Sequence, residues 1–343
     1  MIKILVTGGT GYIGSHTVVE LQEEGMEVVI IDNLSNSERE VLSGISSITG
    51  KEPHFEEMDL RDEKATFGVF ERHPDIDAII HFAAFKAVGE SVEKALEYYE
   101  NNLFSLIHLM KAMRKYRVDH MVFSSSCTVY GEPDVLPVTE DAPIKKANSP
   151  YGNTKQICEE ILQDSLASMQ GKGVISLRYF NPIGAHESAL IGELPVGVPN
   201  NLVPFITQTA AGLRECLSVY GDDYNTSDGS AVRDYINVVD LAKAHVASIR
   251  RLLNQEQKSQ FEVFNLGTGK GLSVFEVIKA FERSTGQSLN YKVVGRREGD
   301  IEKMYADTSY ANSELGWKAE KGIDETLRSA WKWEQKIRAQ KSE

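Results

Sequence analysis

The first apolar run of this chain leads straight into a cluster of glycines. Ile2 to Thr7 is rich in β-branched residues, Gly8-Gly-Thr-Gly11-Tyr12-Ile13-Gly14 follows, and Ser15 to Glu24 carries helical spacing closed by Gly25. This order predicts a buried parallel strand, a glycine turn and a helix start. Such a turn lets backbone approach a ligand closely, and the free amides and partial positive charge of a helix N-terminus suit a pyrophosphate. The spacing Gly8-x-x-Gly11-x-x-Gly14 differs by one residue from the commoner Gly-x-Gly-x-x-Gly and is a weak signal alone.

The next strand-like run strengthens it. Glu27 to Ile31 ends in Asp32, about twenty residues beyond the central glycines, where a carboxylate can bind the hydroxyls of an adenosine ribose. A carboxylate there repels a 2′-phosphate, so the expected cofactor is NAD rather than NADP. A strand-end Asp that merely caps a turn is the alternative.

With 343 residues the chain exceeds one ordinary domain and suggests two. No apolar run approaches the ~20 residues of a membrane span, so no membrane partner is expected. Nor does a basic-then-apolar leader precede the first strand, which points to the cytoplasm. Cys127, Cys158 and Cys216 have no metal-ligand spacing; no metal is expected, and unpaired thiols suit a reducing compartment. A formal charge of −13 opposes binding to nucleic acid, so any phosphate ligand must be held by local cations.

Helix and strand signals alternate through the first half, the pattern of a doubly wound parallel sheet. Asp59, after the run His54 to Met58, is a candidate for the adenine amino group or a cap for the segment starting at Arg61. The strand Asp77 to Phe82 runs into Ala83, Ala84, Phe85 and Lys86, where small residues allow close approach to a cofactor and Lys86 adds a cation. Helical spacing is predicted from about Ser91 to Tyr116, unbroken by Pro or Gly. Within it, Asn101 could face the cofactor or make an interhelical hydrogen bond.

The strand Met121 to Ser126 has a hydroxyl-rich end at the carboxyl edge where such sheets bind ligands. Ser149-Pro-Tyr151-Gly-Asn-Thr-Lys155 opens a helix reaching about Met169, with Tyr151 and Lys155 on one face. An ammonium beside a phenol, helped by oxidised nicotinamide, would lower the phenol pKa and make a general base. A surface cation beside a core ring is the bland reading of this pair.

After the strand Val174 to Tyr179 the rhythm changes to loops rich in Gly, Pro and Asn. Short helices are predicted near Leu202 to Leu213, Val239 to Leu253 and Ser273 to Arg283, with a C-terminal helix from about Ile323. The expected organisation is an NAD-binding unit over 1–180 and a smaller mixed α/β substrate unit over 181–343. Segments near 235–250 and 261–285 are expected to return to the first unit.

Together the glycine loop, Asp32, the serine-rich strand end and Tyr151-x-x-x-Lys155 give a chain that resembles the extended short-chain dehydrogenase/reductase superfamily, Rossmann-type in fold. Within it the resemblance is to the UDP-glucose 4-epimerase family. The motifs span the chain: Gly8-Gly-Thr-Gly-Tyr-Ile-Gly-Ser-His16, Asp32-Asn33-Leu, Lys86-Ala-Val-Gly-Glu-Ser91, Tyr98-Tyr-Glu-Asn-Asn102, Ser124-Ser-Ser-Cys-Thr-Val-Tyr-Gly131, Arg178-Tyr-Phe-Asn-Pro182, Pro199-Asn-Asn-Leu202, Val232-Arg-Asp-Tyr235 and Arg296-Arg-Glu-Gly-Asp300.

The resemblance implies that Ser126, Tyr151 and Lys155 are catalytic in a reversible epimerisation at carbon 4 of a UDP-hexose. Ser126 would bond the 4-hydroxyl, Tyr151 take its proton, and Lys155 hold the nicotinamide ribose; a hydride leaves carbon 4 and returns to the opposite face. It further implies cofactor contacts at Gly8, Gly11, Tyr12, Ile13, Gly14, Asp32, Asn33, Asp59, Leu60, Phe82, Ala83, Ala84, Lys86, Asn101, Ser124, Tyr151, Lys155 and Phe180. Substrate contacts are implied at Lys86, Ser126, Thr128, Tyr151, Asn181, Asn201, Leu202, Val219, Tyr220, Arg233, Tyr235, Arg297, Asp300 and Met304. Arg233 and Arg297 would supply guanidinium forks for the diphosphate. A homodimer packing the helices near Ser91 to Tyr116 and Tyr151 to Met169 is also implied.

Two positions depart from relatives. Cys127 stands where some have Ala, and without a paired His or acid it reads as packing. Met304 falls where a bulky Tyr gates against 2-acetamido sugars and a small residue admits them; Met is intermediate, so UDP-glucose and UDP-galactose are the expected main substrates, with weak or even preferred turnover of the UDP-N-acetylglucosamine/UDP-N-acetylgalactosamine pair as the alternative. Other readings are a nucleotide-sugar dehydratase, which would want an acid and a base where Cys127-Thr128 stand, and a non-catalytic NAD-binding regulator.

Overall fold

Helix and strand alternate from the first residues through β4 in the computed structural model, which describes residues 1–297 and 300–342. Glu298 and Gly299, part of the Arg296–Asp300 motif, lie outside the described residues. The order is β1 (Lys3–Thr7), α1 (Tyr12–Glu23), β2 (Glu27–Asp32), α2 (Val41–Thr49), β3 (His54–Glu57), α3 (Glu63–Arg72), β4 (Ala78–His81), α4 (Val88–Glu93), α5 (Ala95–Tyr116), β5 (His120–Ser126), α6 (Pro150–Ala167) and β6 (Gly173–Tyr179).

Among the described residues these strands form a seven-stranded sheet ordered β10-β6-β5-β4-β1-β2-β3, every pair parallel, with β10 (Phe261–Leu266) at one edge. A parallel sheet is covered on both faces, and that explains why its strands are apolar throughout rather than alternating. Ile4 and Val6 face one layer, with Val18 and Leu21 of α1; Leu5 faces the other, with Val69, Leu106 and Leu162. These side chains are fully buried, each contributing on the order of 1.5–3 kcal/mol of hydrophobic stabilisation. Strand order reverses between β1 and β4, so a crevice opens at the carboxyl ends of those two strands.

The remaining elements are β7 (Asn181–Ile183), α7 (Leu202–Ala210), β8 (Leu217–Tyr220), β9 (Val232–Asn237), α8 (Val238–Leu253), β11 (Gly271–Ser273), α9 (Val274–Thr285), β12 (Tyr291–Val294), β13 (Lys303–Met304), α10 (Ser309–Glu314) and α11 (Ile323–Ser342). They divide between two cores. Leu241, Ala244 and Ile249 of α8 pack with Ile4 and Val6 against the large sheet, and β10 pairs with β6. By contrast β11 pairs with β9, and Val277 and Phe281 of α9 pack with Ile183, Ile206 and Leu327 in a second core. The stretch 261–285 is therefore split between the two cores.

One predicted helix is two. The stretch from Ser91 to Tyr116 breaks at Lys94, whose φ of −123° and ψ of 47° are not helical. No glycine or proline marks the break. It is set by packing, because the Tyr98 hydroxyl accepts the Ala87 N–H and donates to Glu90, folding α4 back on α5. The described residues contain no helix long and apolar enough to cross a membrane.

Candidate active site

Ser149 caps α6 by accepting the Gly152 N–H at 3.1 Å, and Pro150 supplies a first-turn residue whose missing N–H is not needed. The cap fixes where the helix starts and hence where Tyr151 and Lys155 stand, one turn apart. Lys155 is buried, donates from Nζ to the Ser124 carbonyl oxygen at 2.6 Å and lies 4.8 Å from the centre of the Phe123 ring. Ser126, at the end of β5, lies beside the Tyr151 phenol and favours its ionised form. The Oγ of Ser126 accepts both the N–H of Thr128 at 3.2 Å and its hydroxyl at 3.0 Å. With its acceptor positions filled, the Ser126 hydroxyl has its own proton to give.

Burial pushes the Tyr151 phenol up to about 12, and the neighbouring Ser126 hydroxyl pulls the other way by less. The phenol lowered by a neighbouring ammonium, anticipated from the four-residue spacing, is thus not a property of the protein alone. Desolvation dominates at Tyr151, the Lys155 ammonium gives its hydrogen bond to the Ser124 carbonyl oxygen instead, and desolvation brings Lys155 itself down to about 8.

The glycine turn makes a cradle with no room for side chains. Gly8 has φ +70° and a Cβ there would lie 2.8 Å from the Ala83 nitrogen; one on Gly14 would lie 2.1 Å from the Gly8 oxygen. Gly11 is the N-cap of α1 and offers no side chain to its amides, so the first turn is left open to a ligand. Beside it Asp32 accepts the N–H groups of Thr10 (3.2 Å) and Leu34 (3.0 Å). These features fit a dinucleotide whose pyrophosphate sits on the helix start and whose ribose meets Asp32.

Other expected cofactor residues gather around this cradle. Tyr12 donates its hydroxyl to the Gly184 carbonyl, tying the loop to the second half of the chain, while Ile13 packs on the sheet core. Asn33 and Arg61 both donate to Asp59, and the Arg61 guanidinium holds that carboxyl down to about 2, so Asp59 caps the Arg61 segment. Leu60 is buried in the core below; Phe82, Ala83 and Ala84 are half-buried at the end of β4. Lys86 is exposed, 3.7 Å from Glu193 and 5.8 Å from the Tyr12 ring centre. Asn101 donates to its neighbour Asn102, the amide that is buried and bonds Phe85 and Thr154.

The second half contributes the cations. Arg233 on β9 and Arg297 reach one carboxylate oxygen of Asp300, at 3.4 and 2.8 Å, and Arg297 lies 5.7 Å from the centre of the exposed Tyr220 ring. Asn181 pairs with Tyr235 between β7 and β9, and Asn201, N-cap of α7 ahead of half-buried Leu202, donates to Glu193. Met304 pairs in register with Arg233 and packs with Phe180, Val129 and Tyr130. Cys127 borders that cluster, its thiol pushed up to about 12 by burial, which does not suit a nucleophile. Val219, an expected substrate contact, has its side chain in the second core with Ile206 and Leu217. As alternate residues of a strand face opposite ways, the exposed neighbour Tyr220 is the one on the open side.

Five buried residues at this edge escaped sequence reasoning. Glu159 accepts from Arg178, Ser125 and Ser176, and the Tyr179 hydroxyl bonds the Ser124 hydroxyl. For Glu159 there was a signal, since it continues the Tyr151, Lys155 spacing by four more residues.

Residues 5–330 match the family model described as GDP-mannose 4,6 dehydratase. A UDP-glucose 4-epimerase of Dictyostelium discoideum is 51% identical over 97% of this chain and 95% of its own length. Among solved structures, a UDP-glucose-4-epimerase from Stenotrophomonas maltophila with bound NAD and formylated UDP-arabinopyranose superposes with a TM-score of 0.95 at 48% identity, covering 99% of this chain and 100% of that one. A UDP-glucose 4-epimerase from Bifidobacterium longum in complex with NAD+ and UDP gives a TM-score of 0.93 at 48% identity over 97% and 98%.

Proposed function

This chain belongs to the UDP-glucose 4-epimerase family, within the broader group that the dehydratase model describes, and we propose that Ser126, Tyr151 and Lys155 carry its reaction. The reaction is the reversible inversion of carbon 4 between UDP-glucose and UDP-galactose, with NAD as cofactor. The observation that carries the assignment of roles is the meeting of the Tyr151 phenol with Ser126 at the carboxyl edge of the sheet, beside a glycine cradle open to a pyrophosphate.

Bound NAD supplies the acceptor for the hydride of carbon 4 and its return. The protein residues handle the proton and the position. Tyr151 takes the proton of the 4-hydroxyl and gives it back after the sugar has turned. Ser126, its lone pairs occupied by Thr128, donates to the sugar oxygen or to Tyr151 and so bridges the two. Lys155, resting on the Ser124 carbonyl one helical turn from Tyr151, supplies the positive charge for the phenolate.

Arg233 and Arg297 hold the diphosphate, displacing their shared contact with Asp300, which passes to the uridine ribose. Anchoring the nucleotide far from carbon 4 leaves the sugar free to rotate about its bond to phosphate and present the other face. Asn181, Asn201, Leu202, Tyr220 and Tyr235 complete the nucleotide side, Lys86 stands between the two ligands, and Met304 faces the sugar. Cys127-Thr128, standing where dehydration wants an acid and a base, do not favour a dehydratase.

The first unit, through residue 180 with α8 and β10, holds NAD, and the remainder holds UDP-sugar. The active form is a homodimer. Val88, Val92, Leu96 and Phe104 on α4 and α5 support this reading, since Val92 and Leu96 are 65% and 81% exposed. Three unpaired cysteines support a cytoplasmic setting.

Denaturing the purified protein and identifying the released nucleotide, then assaying UDP-galactose without added cofactor, tests the whole reading. Release of NAD with turnover unaided is expected. Stoichiometric NADH accompanied by free ketosugar would refute it.

A further inference from the structure

Tyr151, Lys155 and Glu159 follow one another at four-residue spacing, so their side chains line one face of α6. An ammonium and a carboxylate placed so on a helix ordinarily pair, and more tightly when water is excluded. Here each has another partner. Lys155 donates to the Ser124 carbonyl at 2.6 Å. Arg178 on β6 grips Glu159 with two parallel bonds, Nε to Oε1 at 3.0 Å and a terminal nitrogen to Oε2 at 2.6 Å. The hydroxyls of Ser125 and Ser176 donate to Oε1 as well, at 2.6 and 2.8 Å.

Glu159 and Arg178 are 4% and 5% exposed, so neither charge is satisfied by solvent. Arg178 is itself fixed: its other terminal nitrogen donates to the Tyr130 hydroxyl at 3.0 Å, and Tyr130 donates to Asn265 at 2.7 Å. A planar fork on a carboxylate is a geometry that lysine cannot reproduce.

We propose that Arg178 is a positioning residue for the epimerisation: its two-point hold on Glu159 keeps that carboxylate from capturing the Lys155 ammonium, which is left to serve Tyr151 and the cofactor ribose. The proposal rests on the reading of Tyr151 as the base and Lys155 as its cation. Other titratable groups facing the pair are His81 on β4, Tyr98 on α5, Cys127 after β5, Cys158 on α6 and Tyr179 on β6, with Arg233 and Asp234 beyond Cys127. Burial holds His81 down to about 3, pushes both thiols up to about 12 and raises both phenols, so these five are uncharged at neutral pH. Arg178 also faces the Tyr130 phenol, pushed up to about 12 by burial, and Glu140, whose carboxyl burial raises; Glu159 with Arg178 is the bidentate pair on the α6–β6 side.

The test is the pH dependence of UDP-galactose turnover by protein carrying its bound NAD. It is read together with the near-ultraviolet phenolate absorbance of each variant against its own Tyr151→Phe counterpart. In Arg178→Gln the freed Glu159 pairs with Lys155, and both the acid limb of kcat and the phenolate absorbance move to higher pH by about one pH unit. Glu159→Gln leaves the guanidinium with only the less intimate Glu140 as a counter-charge, and both move to lower pH. Combining the two substitutions brings both back to the parent position.

Slower turnover with unmoved pH profiles overturns the proposal and makes the pair a brace for the fold. If Arg178→Gln does not fold, the direction of the Glu159→Gln shift decides alone. Full activity in Tyr151→Phe would instead defeat the reading of Tyr151 as base, a failure distinct from inactive Tyr151→Phe with unmoved Arg178 and Glu159 variants.

Discussion

The ammonium of Lys155 donates to the carbonyl oxygen of Ser124 at 2.6 Å, in a site that leaves the lysine 3% exposed. A single carbonyl and the face of Phe123 replace the water that would surround a free ammonium. The lysine therefore enters the fold at the expense of its charged form, and desolvation brings it down to about 8 from 10.5.

This has a consequence for stability. Between about 8 and 10.5 the unfolded chain binds the proton that the folded chain has released, so stability rises with pH across that window and the penalty is fully present below it. Nucleotide-stripped protein is expected to gain on its Lys155→Met variant by up to about 3 kcal/mol as pH rises from about 8 to about 10. Urea midpoints for the two proteins at several pH values measure this. A difference that stays flat would show that Lys155 is not desolvated in the fold.

Gly14 admits no side chain, because a Cβ would stand 2.1 Å from the Gly8 carbonyl oxygen. Gly14→Ala must displace the turn proposed to hold the pyrophosphate, while the strands of the sheet, buried through their own apolar side chains, persist. The variant is expected to purify with less than about a tenth of the parent's bound nucleotide and unchanged far-ultraviolet circular dichroism. Nucleotide released on denaturation gives the number, and full occupancy would remove the cradle from the cofactor site.

Arg233 is half-buried and shares the Asp300 carboxylate with Arg297. A charge-assisted bond to phosphate is worth about 1.5–3 kcal/mol, so Arg233→Met should weaken UDP binding by roughly tenfold to a hundredfold. If Arg233 anchors the diphosphate as proposed, remote from carbon 4, kcat should change far less than KM. Calorimetric titration with UDP checks the first expectation; a loss confined to kcat would place Arg233 at the reacting carbon instead.

The leading strand, its glycines and the alternation that follows could be read directly, because a parallel sheet needs continuous apolar strands and a pyrophosphate turn needs glycines at fixed places. The rejoining of Phe261–Leu266 to the sheet was legible for the same reason. The break at Lys94 was not, since it depends on the Tyr98 hydroxyl meeting Ala87 rather than on any local breaker. Nor was the hold of Arg178 on Glu159. Charged residues in sequence look alike whether solvated or sealed, and partners on different elements leave no spacing to read. The pKa of Tyr151 misled for a related reason: spacing reveals the neighbouring lysine but not the desolvation that dominates at the phenol.

Met304 sits where sugar specificity can be tested. It is 2% exposed, packed with Phe180, Tyr130 and Val129, and pairs in register with Arg233, a proposed ligand of the diphosphate. A tyrosine there has more volume than the packed cluster can absorb, and overpacking costs about 1–3 kcal/mol of stability unless the ring turns toward the sugar. Turning outward narrows the space beside the substrate, which a 2-acetamido group needs and a 2-hydroxyl does not. Met304→Tyr is therefore expected to lower turnover of UDP-N-acetylglucosamine relative to UDP-glucose by at least about tenfold, a difference of about 1.4 kcal/mol in the transition state. Met304→Ser, which leaves space, should shift the ratio the other way. Rates for both sugar pairs with all three proteins supply the comparison, and unchanged discrimination would move the determinant of specificity away from this side chain.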